Sequence, residues 1–166
     1  MKKYISKLTG ITLLAVGLSY CAGTSKTAVK TDTLREAYKK DFLIGTALNS
    51  GQIEEKDPKA AALIPQQFNA ITPENIMKAE ILHPEWNRYD FTMADKMVAY
   101  GEKYKMAVNG HTLVWHSQLP RFAREIKDVD SFKTFFNQHI TTVASRYSGK
   151  IFSWDVVNEA LNEDGT

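Results

Sequence analysis

A carboxyl group at the end of an apolar run is the feature of this sequence best suited to chemistry. Residues 151–157 are mostly apolar and are followed at once by the polar pair Asn158 and Glu159. A parallel α/β barrel carries its catalytic groups at the carboxyl ends of the strands, so Glu159 is a candidate acid or base. The alternative is a half-buried strand whose Glu159 simply points to water. We interpret Asp155, on the same strand face, as a structural acid that needs a hydrogen-bonding partner, because an unpaired buried carboxylate is costly.

Two further polar clusters, in residues 72–78 and 110–120, each follow an apolar run. Their candidate ligand-binding side chains are Glu74, Asn75 and Lys78 in the first cluster and His111, Trp115 and Gln118 in the second. Pro73 is typical of the first turn of a helix, so Glu74 and Lys78 could instead form a surface ion pair on one helical face. His111 alone could be a hydrogen-bonded core histidine. Its clustering with Trp115 and Gln118 after a strand favours a binding site.

The elements that must position these clusters alternate between apolar runs and amphipathic segments. The periodicity predicts strands at residues 42–48, 68–71, 106–113 and 151–157, and helices beginning near residue 33 and at residues 59–67, 92–105 and 132–148. Residues 49–51 are typical of a loop. Strands separated by crossover helices form a parallel sheet, either a barrel or a doubly wound sheet. Because no glycine-rich phosphate-binding motif follows the first strand, the sequence argues against nucleotide binding and favours a barrel.

Composition excludes several classes of function. The 166 residues carry 21 basic and 19 acidic side chains, for a net charge of +2, which is too balanced for a protein whose main partner is nucleic acid or an anionic membrane. Cys21 is the single cysteine, so no disulfide can form within the chain. The four histidines have no metal-binding spacing, and we expect no metal site.

The first 23 residues have the pattern of an export signal. Lysines precede a short apolar stretch, which is followed by small residues around Cys21. The segment resembles a bacterial lipoprotein signal in which Cys21 becomes the lipidated first residue, although Tyr20 is unusual before that cysteine. Ordinary secretion is the alternative, and both predict a protein exported from the cytoplasm. Residues 24–33 are polar and are interpreted as a tether to a globular region at residues 34–166.

Three runs together resemble glycoside hydrolase family 10, the endo-β-1,4-xylanases. They are TPENIMK at residues 72–78, GHTLVWHSQLP at 110–120 and WDVVNEA at 154–160. The resemblance covers about residues 34–166 and implies a (β/α)₈ barrel of which this chain holds the first four βα units. It also implies retaining hydrolysis of xylan or xylo-oligosaccharides by a monomer without a cofactor.

The resemblance assigns roles to individual residues. It implies that Glu159 is the general acid/base and that a set of polar and aromatic residues lines the sugar-binding subsites: Glu74, Asn75, Lys78, His111, Trp115, Gln118 and Asn158. Ala79 departs from the family pattern, in which many members have Trp. The family's nucleophile, a second Glu late in the barrel, has no counterpart in this chain, so we expect these 166 residues alone to be inactive.

Two other functions are compatible with these residues. One is a non-catalytic carbohydrate-binding protein on a barrel scaffold, and the other is a barrel glycosidase acting on β-1,4-glucan. A later strand that ends in a second Glu would support an enzyme, and its replacement would support the carbohydrate-binding protein. A comparison of xylan with cellulose as substrates would distinguish a xylanase from the β-1,4-glucan-active glycosidase.

Overall fold

The structure is a computed structural model that describes residues 33–166. The predicted signal peptide at residues 1–23, with Cys21, and the predicted tether up to residue 32 lie outside the described residues. Within the described range, no helix combines the length and the apolar character that crossing a membrane requires.

Four parallel strands alternate with helices. In chain order the elements are α1 (Leu34–Ala37), β1 (Gly45–Leu48), α2 (Ser50–Ile53), α3 (Pro58–Gln67), β2 (Ala70–Pro73), α4 (Ala79–Leu82), α5 (Thr92–Tyr104), β3 (Ala107–Trp115), α6 (Arg121–Glu125), α7 (Val129–Arg146) and β4 (Ser153–Asn158). The strands form one sheet in the order β1-β2-β3-β4, and every neighbouring pair is parallel. All four carboxyl ends therefore lie at one edge of the sheet.

Side-chain caps fix where several helices begin. The Asp57 carboxylate accepts hydrogen bonds from the backbone of Lys59 and Ala60, which confirms the predicted start of α3. Helix α7 is capped by Asp128 and begins at Val129, slightly earlier than predicted. Such a cap contributes about 0.5–2 kcal/mol.

The loop predicted at residues 49–51 is wrong, because a capping box turns this segment into helix α2. The Asn49 side-chain oxygen accepts a hydrogen bond from the Gln52 backbone N–H, and the Gln52 side-chain oxygen accepts one from the Asn49 backbone N–H. The two reciprocal bonds satisfy free backbone donors that would otherwise favour an extended loop.

The helical turn predicted to start at Pro73 is also wrong. Pro73 is the last residue of β2, opposite Leu48 in the register with β1, and the following residues bend until α4 begins at Ala79. The Glu74 amide donates to the Leu48 carbonyl at 3.0 Å, which continues the path of the sheet past Pro73. Proline suits both a helix start and a strand end, and strand pairing decides between them.

The apolar core lies between the sheet and its helices. Leu48, Ile71 and Val108 project from β1, β2 and β3 and pack with Met97 of α5 and Val143 of α7. All five side chains are buried. Burial of each stabilises the fold by about 1.5–3 kcal/mol relative to an exposed side chain.

Strand β4 is more exposed than the buried strand predicted at residues 151–157. Val156 and Val157 of β4 are each 54% exposed, and Phe152 just before the strand is 72% exposed. Among residues 33–166, β3 is the only strand that pairs with β4. Ile151 and Trp154 are the residues of this stretch that pack against the core. A Cβ atom on Gly110 would lie 2.2 Å from the Trp154 ring, so the close approach of β3 to this indole requires glycine.

Two histidines are buried in an aromatic cluster between α4 and α7. The His83 and His139 rings stack with centroids 5.6 Å apart, and Phe135 packs against both. Burial, and to a smaller extent the neighbouring His83, together lower the pKa of His139 to about 4. Burial also lowers the pKa of His83. Both rings are therefore neutral in the folded protein near pH 7.

Replacing His139 by Phe should flatten the pH dependence of stability in the full-length protein. The pKa of His139 falls from 6.5 in the unfolded chain to about 4 in the fold, so the unfolded state binds the extra proton between these values. Wild-type stability is thus full above pH 6.5 and declines as the pH falls towards 4, by about 3 kcal/mol from this group. Urea unfolding at a series of pH values would measure the difference, and parallel profiles for the two proteins would contradict it.

Candidate active site

All of the predicted site residues except His111 lie at, or just beyond, the carboxyl ends of three strands. Glu74, Asn75 and Lys78 follow β2, and Trp115 ends β3 with Gln118 just after it. Asn158 ends β4 and Glu159 follows it, whereas His111 lies at the middle of β3. The parallel order of the sheet brings all three groups to the same edge.

The Glu159 carboxyl group is held by groups from the end of β3. The Trp115 indole Nε1–H donates to Glu159 Oε2 at 2.8 Å, and His116 Nε2 lies 3.7 Å from the same oxygen. The Glu159 side chain remains 57% exposed, so it can reach a bound ligand. Its backbone has a φ of 50°, a left-handed conformation that a residue with a side chain adopts at a cost of about 1–2 kcal/mol. Strain of this kind clusters at functional sites.

A bulge in β3 sets which residues meet at this edge. The residues from His111 to Val114 pair with those from Asp155 to Val157, so β3 contains one residue more than β4 over the same length. The peptide bond between His111 and Thr112 is cis. Beyond the bulge, Trp115 lies opposite Asn158, beside Glu159. Bulges commonly redirect side chains next to active sites.

Lys78 is a buried cation that connects the β2 and β3 groups. It is 8% exposed, and its Nζ atom lies 4.5 Å from the centroid of the Trp115 ring. The same Nζ donates to Asn75 Oδ1 at 2.9 Å, and Gln118 Nε2 donates to that oxygen at 3.3 Å. The negative face of the indole and the amide oxygen together compensate the buried charge. Lys78 thus bonds to Asn75, and the helical ion pair considered for Glu74 and Lys78 does not form.

Five of the eight predicted residues therefore form one connected set: Asn75, Lys78, Trp115, Gln118 and Glu159. Asn158 is half-buried opposite Trp115, and Glu74 is exposed next to the end of β1. Both residues lie at the same edge of the sheet, but within residues 33–166 neither side chain forms a hydrogen bond.

His111 belongs to a second polar group on the same two strands. Its Nδ1 atom lies 2.9 Å from Asp155 Oδ2, and Asn109 Nδ2 donates to that oxygen at 3.1 Å. Asp155 therefore has the partners that an acid on this strand face needs. Sequence reasoning missed Asn109 and Ser153, whose hydroxyl donates to Asn109 Oδ1 at 2.7 Å. Their spacing of two residues from His111 and Asp155 was the available signal, because alternate strand residues share one face.

Two clefts meet at Glu159. One, of about 480 Å³, has mainly apolar walls that include Trp115, Phe132 and Phe136. The other, of about 620 Å³, is lined by His116 and the residues that follow Glu159. An exposed carboxyl group between an aromatic wall and hydrogen-bonding amides can exchange a proton with a polar ligand such as a sugar.

The sequence profile of Glycosyl hydrolase family 10 matches residues 33–166. The chain belongs to this family. Endo-1,4-beta-xylanase A of Xylanibacter ruminicola is 47% identical over 138 residues, which are 80% of this chain and 37% of that protein. Beta-1,4-xylanase of Dictyoglomus thermophilum is 38% identical over 157 residues, 93% of this chain and 43% of the relative. The chain thus spans less than half the length of these relatives.

Solved structures of family 10 enzymes share the fold. Xylanase 10B of Thermotoga petrophila, solved in complex with xylobiose, superposes with a TM-score of 0.77 at 40% identity over 81% of this chain and 42% of that one. A GH10 endoxylanase retrieved from a sugarcane soil metagenome gives 0.75 at 42% identity, over 80% of this chain and 40% of that one. The predicted barrel fold is confirmed, and residues 33–166 form part of it, with four parallel strands and the helices between them.

The departure from the family pattern at Ala79 is accommodated by a small apolar cluster. Ala79 is 6% exposed and packs with Leu119, Ala123 and Phe135. The indole of Trp86 packs against this cluster from the loop after α4. A small residue at position 79 is therefore well buried, directly beside the site residue Lys78.

Replacing Asn75 by Ala should destabilise the full-length protein by about 1–3 kcal/mol. The change removes the oxygen that accepts from the buried Lys78 ammonium and from Gln118. Asn75→Asp, which keeps an acceptor in place, is the matched control and should cost less. Denaturant unfolding measures both, and equal stabilities for the Ala and Asp variants would contradict the role of this oxygen.

Proposed function

We propose that this protein is an endo-1,4-β-xylanase that cleaves internal xylosidic bonds with retention of configuration, and that Glu159 is its general acid/base. The observation that carries the proposal is the exposed Glu159 carboxyl group at the end of β4, held at 2.8 Å by the Trp115 indole. Family membership and the xylanase relatives support the substrate class. The proposal concerns the whole protein. The residues of this chain match 37% and 43% of the length of two xylanase relatives.

In the proposed reaction Glu159 acts twice. It first donates a proton to the departing glycosidic oxygen while a second carboxylate attacks the anomeric carbon, which gives a covalent glycosyl-enzyme. It then takes a proton from the water that attacks the same carbon and releases the sugar with its original configuration. The two carboxyl groups of such an enzyme lie about 5–5.5 Å apart. We assign none of residues 33–166 to the nucleophile.

The contacts of Glu159 suit this double role. Trp115 Nε1 and His116 Nε2 both approach Oε2, which leaves Oε1 available for the ligand. The Trp115 donor orients the group in both of its states, because a carboxylic acid and a carboxylate can each accept a hydrogen bond at this oxygen.

The remaining site residues are proposed to bind the sugar. Lys78 has donors beyond the one used by Asn75, and Gln118 and Asn158 offer amide groups that can donate or accept. Glu74 is exposed and acceptor-rich. Sugar hydroxyls both donate and accept, so a rim of mixed polar groups matches them. His111 and Trp115 complete the proposed subsites.

Export is a separate proposal, with residues 1–23 as the signal and Cys21 as a candidate lipid attachment site. Mass spectrometry of the mature amino terminus from the native host would decide between a lipoprotein and ordinary secretion. A diacylated Cys21 as the first residue supports the lipoprotein, and an unmodified terminus supports ordinary secretion. A mature chain that retains Met1 would contradict export through this signal.

Replacing Glu159 by Ala in the full-length protein should lower kcat/KM on xylan about 10²–10⁴-fold, the usual contribution of a general acid/base. An aryl xylobioside whose leaving group needs no proton should still form the glycosyl-enzyme. Azide, which attacks without a general base, should then restore turnover and give a glycosyl azide of retained configuration. Glu125→Gln, an exposed acid paired with Arg121, is the control and should be unaffected.

The product of azide rescue decides the role of this residue. A glycosyl azide of inverted configuration would mean that Glu159 is the nucleophile. Full activity of the Glu159→Ala variant would mean that Glu159 has no role in the reaction. Wild-type hydrolysis of cellulose in preference to xylan would support the glucan-active alternative. Binding of xylan without any hydrolysis would support the carbohydrate-binding alternative.

The 166-residue polypeptide by itself should not hydrolyse xylan. Its proposed site contains the acid/base but no assigned nucleophile, and within residues 33–166 β4 pairs with β3 alone and has exposed valines. A reducing-sugar assay on the purified polypeptide measures this directly, with the full-length protein as positive control. Clear turnover by the shorter polypeptide would contradict the expectation.

A further inference from the structure

His83 and His139 form a buried titratable pair that the proposed reaction does not use. The two side chains are 1% and 0% exposed, and their rings are almost parallel, with an angle of 3° between the planes. Tyr89 stacks on His83 with ring centroids 4.0 Å apart, and Phe135 lies beside both histidines. Aromatic rings thus pack against both members of the pair.

The surroundings of the pair supply one hydrogen-bond acceptor for four ring nitrogens. The Trp86 carbonyl oxygen lies 2.9 Å from His83 Nε2. Because a carbonyl oxygen only accepts, Nε2 carries the proton of the neutral ring and Nδ1 has the lone pair. Within residues 33–166, His83 Nδ1 and both nitrogens of His139 have no hydrogen-bonding partner. A second proton on either ring would therefore create a buried charged N–H without an acceptor, which is costly.

No ionic side chain among residues 33–166 compensates such a charge. Burial and then His83 lower the pKa of His139, and burial lowers the pKa of His83 against a weaker opposing effect of the Trp86 carbonyl. Tyr89 is the other titratable group that stacks on the pair. On α4, Glu80 is half-buried. The charged side chains of the loop after α4, of α6 and of α7 are exposed: Glu85, Arg88, Asp90, Arg121, Arg124, Glu125, Asp130, Lys133 and Arg146.

The segment that carries His83 is attached to the rest of the protein mainly through side-chain packing. We call residues 79–91 the latch segment. Among the described residues, one hydrogen bond joins it to a distant part of the chain, from the Glu80 amide to the Gln118 carbonyl at 2.9 Å. The His83 ring contacts Phe122 of α6 and both Phe135 and His139 of α7. His83 is therefore a main point of attachment between the latch segment and these two helices.

The latch segment also holds the backbone of Lys78. The amides of Ile81 and Leu82 donate to the Lys78 carbonyl at 3.0 Å, and Ala79, the next residue, packs with Phe135. Release of the segment would thus free the backbone on which the buried Lys78 ammonium depends.

We propose that His83 and His139 form an acid-sensitive latch, in which protonation of the rings releases the latch segment from α7 and loosens Lys78 while the rest of the protein stays folded. The acid response stands on the ring contacts alone. Its effect on a bound sugar rests on the proposed function.

The direction of the response follows from proton linkage. Opening replaces the ring contacts with water, so the pKa of His139 returns from about 4 to its ordinary value of 6.5. The open form then binds more protons between these values, and its population rises as the pH falls. From His139 alone, the opening constant should rise about a hundredfold between pH 7 and pH 4. His83 acts in the same direction.

Hydrogen exchange of the full-length protein from pH 7 to pH 4, corrected for the intrinsic pH dependence of exchange, measures the opening constant of each segment. In the wild type, the amides of Leu82, His83 and Asp90 should open at least about a hundredfold more readily at pH 4 than at pH 7. His139→Phe, which keeps an aromatic ring and removes the titratable group, should lose about a hundredfold of that rise. The amides of α3 are the internal control and should exchange alike in both proteins.

Three results would overturn the latch. They are an opening constant of the latch segment that stays level from pH 7 to pH 4, an equal rise in folded His139→Phe, and equal opening constants for the latch segment and β2 at every pH. The last result would mean that acid unfolds the whole protein at once. If His139→Phe does not fold, the wild-type comparison of the latch segment with β2 decides.

A bound sugar tests the link to Lys78. The full-length Glu159→Ala variant prevents turnover, and calorimetry gives its Kd for xylotriose. At pH 5, xylotriose at ten times Kd should lower the opening constant of the latch segment about tenfold, because the open form loses the ligand. An unchanged opening constant with ligand bound would overturn the link to Lys78. Absence of xylotriose binding would instead contradict the proposed function, and the pH series would still decide the latch.

Discussion

The parallel pairing of β3 with β4 is the constraint on which the site depends. It brings His111 opposite Asp155 and Trp115 opposite Asn158, with one extra residue of β3 between these pairs. If the pairing instead continued residue for residue from His111 and Asp155, Trp115 would lie level with Glu159 rather than one step before it. The observed register lets the indole N–H reach the Glu159 carboxyl group at 2.8 Å. The bulge thus brings Trp115 beside the proposed acid/base Glu159, and the regular pairing before it brings His111 opposite Asp155.

A buried cation joins this pair of strands to β2. The Lys78 ammonium lies over the ring of the indole that holds Glu159, and Asn75 provides its acceptor. A buried charge is tolerated only when its surroundings compensate it, so the β2 segment and the end of β3 must keep their relative positions. Trp115 consequently contacts a cation through its ring and a carboxyl group through its N–H. The site is a connected structure in which loss of one contact weakens the next.

Much of the strand-end arrangement could be predicted from sequence, because apolar runs that stop abruptly mark both a buried strand and its polar end. Apart from the local capping box between Asn49 and Gln52, what failed depended on partners distant in the chain. Pro73 suits a helix start or a strand end, and only its pairing opposite Leu48 decides. Asn109 is one polar residue in an apolar run until Asp155 lies beside it. The β3 bulge likewise exists only relative to β4. An apolar run likewise does not reveal that Val156 is 54% exposed within residues 33–166.

Retaining cleavage of xylan with Glu159 as acid/base, as we propose for this edge of the sheet, fixes the configuration of the first products. The most direct test is proton NMR of the first products that the full-length protein releases from xylan, recorded before the reducing ends equilibrate. We expect β-anomeric reducing ends to accumulate first and α-anomers to follow only as the sugar equilibrates. Initial release of α-anomers, or no release at all, would contradict it.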